Sequence, residues 1–570
     1  MNRSVWKIRF LRLAIRIQKL FRKNAVFMVL FFLFNYTTLA WSLVNADKIE
    51  VMVGYGFSLF LGVTFVTALL QIFRNPVLKN IMKIILVVGS GIPFMIEFVA
   101  MYNYKALIGA GIVNSLLETN SREALEFCNM YFGAEEIIGV LFLIGLFAAI
   151  KKYNLISRLH FSRRGQRKII FGILGVSLVY TVRMFVVYTD FFYSEPLLPM
   201  QRAYASAEVA YKNMEAYHTL TSKLNTDIAI TENKSKIRNI VFILGESTNR
   251  NHMHLYGYNV PNTPNLDALK AKNELSIFTD CVSPHSTTIA VLSKLFTFCD
   301  YESDKDWYEY NNLIDVMNAA GYKTFWLSNQ ESSGVWGNVA QIYAEHSTKH
   351  EFTRIRDSRE DYGIVDGELF PLVDRAVQEK ADKNFYVIHL MGGHGLYYNR
   401  FPYSFSKFTK DDIKLNIPDE KKDVIAQYDN ALYYNDYIVS GIIDKFRDDE
   451  TIVIYVPDHS EAIYDETGGF TGHIEENPTR QMIEIPVIMW ASDKFKANYP
   501  DKWAQIQAAV NRPYMTDDMI HTVLEIADIK TPEFDPTKSV IDAKFDATRK
   551  RIFGGKDYDA EIKTGKVQEE

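Results

Sequence analysis

Asp458 and His459 stand side by side at the end of TIVIYVP, an apolar run over residues 451–457. A carboxylate and an imidazole delivered together at a strand end suit a divalent cation. The plain alternative is a turn in which the Asp caps the next helix and the His lies on the surface. Other runs end in the same way: NIVFILG leads into Glu246, NFYVIHLMGG leads into His394, and His473 follows in the loop GGFTGHIEENP. In open parallel sheets ligands gather beyond the carboxyl ends of the strands, so these groups share one predicted edge. Turn chemistry alone does not account for so many. The set offers oxygen and imidazole nitrogen without thiolate, which favours zinc or manganese at a catalytic site with an open position. Glycines flank the groups, among them Gly245, Gly392 and Gly472, and allow close backbone approach.

A nucleophile for such a site has one conspicuous source. In SPHSTTIAVLSKLFTF, residues 283–298, a polar cluster runs straight into a helical apolar pattern. Ser286, Thr287 and Thr288 therefore fall near a predicted helix N-terminus, where N–H groups and the dipole favour an oxyanion or phosphate. The same hydroxyls also suit N-capping.

The elements that must position these residues follow from periodicity. From Asn239 onward, the runs NIVFILGE, KTFWLSN, NFYVIHLMGGH, TIVIYVPDH and IEIPVIMW alternate with helical segments such as 309–320 and 424–446. Nearly continuous apolar runs are expected of parallel strands buried on both faces. Residues 238–570 are thus predicted to form an α/β domain around a central, mainly parallel sheet. The charged tail beyond about Ala543 is expected on the surface.

Residues 1–190 read differently. Five apolar stretches, roughly 26–46, 51–73, 84–103, 136–150 and 169–189, are long enough or nearly so to cross a bilayer. A hydrocarbon layer of about 30 Å takes about 20 helical residues. The first stretch is too long for a signal-peptide core and lacks a small-residue cleavage site, so it is expected to remain as an anchor. Eight basic residues from Arg3 to Lys23, with no acidic one, precede it, and further basic loops alternate with acidic or mixed ones. That asymmetry puts the N-terminus in the cytoplasm and, after five crossings, everything beyond about residue 190 outside. Arg183, inside the last stretch, either snorkels or faces a polar cleft. Residues 191–237 read as a connector, with Tyr204, Tyr211 and Tyr217 among charges. They suit an amphipathic helix at the membrane surface, or a plain packing helix. The net charge of −5 points to no nucleic-acid partner. Cys128, Cys281 and Cys299 all fall on the predicted external side, where Cys281 and Cys299 could pair.

Four motifs occur in order: NIVFILGESTNRNHMHLYGYNVPNTPNLDAL, SPHSTTIAVLSKLFTF, HLMGGHGLYYNRFP and VPDHSEAIYDETGGFTGH. Together they resemble the membrane phosphoethanolamine transferases of the alkaline phosphatase/sulfatase-like superfamily, over nearly the whole chain. The resemblance implies an N-terminal five-helix transmembrane domain (1–190), an amphipathic connector (191–237) and a periplasmic, alkaline-phosphatase-like catalytic domain (238–570), held in a bacterial inner membrane. It implies that Glu246, Asp458 and His459 hold zinc and that Thr288, also facing the metal, is the nucleophile. His394 and His473 match histidines near the substrate phosphate or a second zinc.

Outside that domain, NSLLETNSREALEF (114–127) resembles part of the family's lipid-headgroup pocket. There Thr119 and Glu123 lie four apart on one helical face, although Ser115 stands where the family often has Asn. Asn329, after FWLS, is a further substrate-binding candidate beside an ordinary polar-loop role. The implied reaction moves phosphoethanolamine from phosphatidylethanolamine to lipid A or the lipopolysaccharide core. A sulfatase would need a C/S-x-P-x-R pattern, which CVSPHS lacks. Glycerol-phosphate transfer of the lipoteichoic acid synthase type would use the same five-span plan and a threonine nucleophile. A degenerate site would instead leave a non-catalytic metal-binding membrane protein.

Overall fold

The computed structural model describes residues 3–118, 163–194, 196–221, 228–331, 339–354, 364–465 and 469–564. Thr119, Glu123, Cys128 and the expected span 136–150 lie outside them. The chain divides into two compact units, one of residues 1–114 and 127–210, the other of 115–126 and 211–570.

In the first unit, four helices among the described residues are long and apolar enough to cross a membrane. They are α1 (Arg3–Asn45), α2 (Ile49–Leu69), α3 (Pro76–Tyr104) and α4 (Arg163–Val187). These are the first, second, third and fifth of the expected apolar stretches. α1 packs on α2 and α3, and α2 packs on α4. The start of α3 is set locally: Pro76 occupies its first turn, and the Asn75 side chain accepts from Val77 N at 2.8 Å. Arg183 meets a carboxylate on a neighbouring helix, Glu50 in the first turn of α2, with both side chains about half exposed.

A buried polar knot holds this unit. Glu97 on α3 is fully buried, and Arg202 grips it with two hydrogen bonds, Nε to Oε1 at 2.6 Å and Nη2 to Oε2 at 2.7 Å. Ile108 N donates to Oε1 at 3.1 Å, and the Thr38 hydroxyl donates to Oε2. Arg202 belongs to α5 (Pro199–Thr221), so the start of the connector helix is fastened to α3 by a planar, bidentate ion pair. Tyr204 and Tyr211 on α5 keep most of their surface exposed.

The second unit is built on a sheet of seven strands. These are β1 (Asn239–Gly245), β2 (Leu275–Phe278), β3 (Lys323–Glu331), β4 (Lys349–Arg354), β5 (Asn384–His389), β6 (Thr451–Pro457) and β7 (Val487–Ala491). Their spatial order is β2-β7-β6-β1-β5-β3-β4, and only β7 runs against its neighbours. The sheet is therefore mainly parallel. β1, β5 and β6 are buried along their whole length, which is why they read as unbroken apolar runs. The edge strands β2 and β4, LSIF and KHEFTR, lack that signature and escape a reading by periodicity.

One open possibility closes and one sequence expectation changes. Cys281 and Cys299 are free and buried rather than paired, with Cys281 packed in the main hydrophobic core. The tail beyond Ala543 is not a surface strip, because Arg551, Phe553 and Tyr558 are buried. The Arg551 guanidinium lies between Asp280 and Asp559, and Tyr558 donates its hydroxyl to Glu484 at 2.6 Å. Charge that is buried by pairing is invisible to hydropathy.

Replacing Arg202 by Ala would leave Glu97 buried without its counter-charge, at a cost of about 3–5 kcal/mol. The thermal unfolding midpoint in detergent should fall for Arg202→Ala. The double variant Glu97→Met/Arg202→Met should recover most of the loss.

Candidate functional site

Strand register brings the first two groups together. β1 pairs in parallel with β6, and Gly245 stands opposite Pro457. One residue further along each chain come Glu246 and Asp458, followed by His459. Their ligand atoms lie within 4.8 Å of one another, and all three residues are buried. His459 Nε2 is 3.4 Å from Glu246 Oε1 and 3.3 Å from Asp458 Oδ2.

The remaining bonds aim these groups inward. Asp458 Oδ1 accepts from the backbone N–H groups of Ser247 at 3.2 Å and His459 at 2.7 Å. Its Oδ2 is buried and has no hydrogen-bond partner among the described residues. The His459 ring donates through Nδ1 to the Ser460 carbonyl at 2.9 Å, which leaves Nε2 as a lone pair, also buried and without a hydrogen-bond partner among the described residues. Glu246 Oε1 accepts from the Ser247 hydroxyl at 2.8 Å. Burial and then Asp458 push the Glu246 carboxyl up to about 8, while burial pushes Asp458 up to about 6. Burial and the adjacent His473 hold the His459 imidazole down to about 4, so it stays neutral. Two buried carboxylates beside a neutral imidazole whose lone pair has no donor form a donor set suited to zinc or manganese.

Thr288 opens α6 (Thr288–Leu295) and donates its hydroxyl to Glu246 Oε2 at 3.3 Å. The helix is capped at Thr287 without a side-chain hydrogen bond, so neither threonine hydroxyl is engaged in capping. An alcohol thus stands at the mouth of the carboxylate–imidazole cluster. The His473 ring lies 4.2 Å from that of His459, centroid to centroid, with Nδ1 3.8 Å from Glu461 Oε1. Burial pulls His473 down, but Glu461 and then the Glu246 and Asp458 carboxylates outweigh it and raise its pKa above the usual value. His394 is half-buried in the turn after β5, where Arg400 Nε donates to its carbonyl at 2.8 Å. Among the described residues, neither His394 nor His473 joins the group of converging ligand atoms.

Asn329 is fully buried. Its amide donates to Asp366 Oδ1 at 2.7 Å, and Asp366 in turn accepts from Met391 N at 2.8 Å and Gly392 N at 2.9 Å. It therefore shapes the 391–393 turn from behind. That turn presses on Glu246: Gly393 N donates to the Glu246 carbonyl at 2.9 Å. Gly392 has φ +48°, and a Cβ there would lie 2.6 Å from the Glu246 carbonyl oxygen. Only glycine fits.

Periodicity did not single out Gln330, whose amide donates to Glu246 Oε2 at 3.2 Å and to the Leu390 carbonyl at 3.2 Å. The pairing of β3 with β4 shifts register between Ser328 and Glu331, so period-2 alternation does not tell which of Asn329 and Gln330 meets the site. His252 was missed as well. It is buried between Asp465, 2.7 Å from Nε2, and Asp429, 3.4 Å from Nδ1, and so braces the hairpin that leads to His473.

The model of the family described as Sulfatase matches residues 238–529. The phosphoethanolamine transferase EptC of Escherichia coli (strain K12) is 28% identical over 514 residues, covering 85% of this chain and 86% of that protein. The crystal structure of the C-terminal periplasmic domain of EptC from Escherichia coli, in complex with Zn, superposes with a TM-score of 0.55 at 29% identity, covering 59% of this chain and 97% of that one. The integral membrane lipooligosaccharide phosphoethanolamine transferase EptA of Neisseria meningitidis shares the fold, with a TM-score of 0.64 at 20% identity over 91% of this chain and 98% of that one.

Burial pulls the His252 imidazole down, but Asp465 and then Asp429 outweigh it and raise its pKa to about 10. A folded pKa above the unfolded value of about 6.5 gives stability that is full below that pH and is lost as pH rises towards 10. Unfolding midpoints measured between pH 7 and 10 should fall more steeply for the wild type than for His252→Asn.

Proposed function

The chain belongs to the sulfatase family, and from that premise we propose that it is a membrane-anchored transferase. It moves phosphoethanolamine from phosphatidylethanolamine to an envelope glycolipid, lipid A or the lipopolysaccharide core. What carries the reading is one juxtaposition: Glu246, Asp458 and His459 converge in a buried cluster, and the Thr288 hydroxyl stands 3.3 Å from Glu246. It occurs in a chain 28% identical over 85% of its length to a phosphoethanolamine transferase.

In this reading residues 1–190 anchor the protein in the bacterial inner membrane with the N-terminus in the cytoplasm. Residues 191–237 lie along the membrane surface, and residues 238–570 act in the periplasm. A zinc ion held by Glu246, Asp458, His459 and Thr288 would act as a Lewis acid that lowers the pKa of the alcohol; a second ion, if one is held, would lie near His394 and His473. Thr288 Oγ forms a bond to the phosphorus of phosphatidylethanolamine as the bond from phosphorus to the diacylglycerol oxygen breaks. The proton lost by the threonine ends on that oxygen, and a phosphoethanolamine–threonine remains.

In the second half, an acceptor hydroxyl or phosphate oxygen bonds to the phosphorus, the bond to Thr288 Oγ breaks, and the threonine regains a proton. His473 and His394 neutralise the phosphoryl oxygens or supply the leaving oxygen's proton. Gln330 and the Ser247 hydroxyl hold the Glu246 carboxylate in place for Thr288. Thr119 and Glu123 contact the donor headgroup, Asn329 supports the turn before His394, and the bilayer supplies proximity because the donor is a lipid.

Full-length protein in phosphatidylethanolamine vesicles should release diacylglycerol and carry a phosphoethanolamine mass on Thr288. Thr288→Ala should lose the adduct and at least about a hundredfold in rate. Retention of full activity by that variant, or release from phosphatidylglycerol instead, would sink the assignment. Chelation should abolish turnover and lower the unfolding midpoint, and added zinc should restore both.

A further inference from the structure

Glu475 lies two residues beyond His473 and reaches across to the loop that delivers Thr288. One of its oxygens accepts from His285 Nδ1, and the other accepts from Ser286 N at 2.9 Å and Ser286 Oγ at 3.3 Å. A single carboxylate thereby joins residues 285–286 to residue 475, although about 190 positions of chain separate them. The His285 ring also lies 6.0 Å from that of Phe553, centroid to centroid, and the other holds on the loop among the described residues sit at its ends. At its start, Ser283 N donates to the Ile483 carbonyl at 2.8 Å, and the Ser283 hydroxyl donates to the His285 carbonyl at 2.7 Å. At its end, Thr287 caps α6 without a side-chain bond. Ser286 is fully buried, so its N–H and hydroxyl depend on Glu475 rather than on water. On the other side, Gly472 is tied into a short hairpin with Ala462, and His473 and Ile474 follow before Glu475. Both ends of the bridge therefore sit within three residues of a group that the proposed reaction uses.

We propose that Glu475 is a positioning residue for phosphoryl transfer: by holding His285 and Ser286 it keeps the Thr288 hydroxyl and the His473 imidazole in one geometry. This rests on the transferase reading above. Among the described residues, Glu475 does not supply one of the converging ligand atoms. Its contribution is alignment, and a misplacement of about 1 Å at a reacting group costs about a hundredfold in rate.

The test uses zinc-loaded, full-length protein in phosphatidylethanolamine vesicles. Glu475→Ala should lower kcat by about a hundredfold, with KM for the donor changed by no more than about twofold and the bound zinc unchanged. Glu475→Gln, whose amide oxygen still accepts from Ser286 and whose amide nitrogen can donate to His285, should restore most of kcat. Amide hydrogen exchange in Glu475→Ala should rise in both 283–288 and 472–476 while the strands stay protected. A kcat close to wild type, or exchange that rises in only one of the two loops, would overturn the proposal. If the wild type forms no adduct on Thr288, the transferase reading fails, and the exchange comparison alone still decides whether Glu475 couples the loops.

Discussion

Two carboxylates are forced against each other in the interior of the second unit, and its local architecture answers to that constraint. Gly245 opposite Pro457 leaves Glu246 and Asp458 no choice but to emerge side by side. Two like charges about 4 Å apart repel by about 4 kcal/mol at an effective dielectric of 20, and more where water is excluded. A proton or a cation must relieve the pair. The protein assigns each donor accordingly: backbone N–H groups occupy Asp458 Oδ1, the Ser460 carbonyl fixes the His459 tautomer, and the two atoms without hydrogen-bond partners face each other. A cation would relieve the pair while placing positive charge beside the Thr288 hydroxyl.

Beside this pair the backbone takes an uncommon conformation. Ser247 sits at φ +48°, a left-handed conformation that costs a non-glycine residue roughly 1–2 kcal/mol. Its carbonyl accepts from the Tyr428 hydroxyl at 2.7 Å, and that hydroxyl accepts in turn from Asn249 N at 2.8 Å. On the opposite flank, Asn329 and Asp366 hold the 391–392 turn against Glu246. Asn329 therefore bears on the site through the backbone it organises.

The membrane unit follows a similar logic. A carboxylate buried among apolar helices is tolerable only with a matched partner, and Glu97 has the bidentate guanidinium of Arg202. The partner comes from the helix that begins the connector, so the polar pair that solves a local solvation problem also fixes where α5 starts.

Much of this was legible from residue order. The β-branched and aromatic runs of β1, β5 and β6 announced buried parallel strands, since burial on both faces demands continuous apolarity. The long apolar stretches announced membrane helices, since bilayer thickness sets their length. Glu246, Asp458 and His459 were conspicuous because metal-capable side chains end several such runs on one predicted edge of the sheet. The edge strands β2 and β4, the buried Arg551 and the contacts of Gln330, His252 and Glu475 were not legible. Each depends on a partner tens to hundreds of residues away, and composition carries no record of which partner that is. Runs and spacings dictate which segments are strands and which side chains cap them. Register and packing alone choose which caps meet, because a one-residue slip between β1 and β6 would carry Glu246 past Asp458 and turn one side chain to the other face of the sheet.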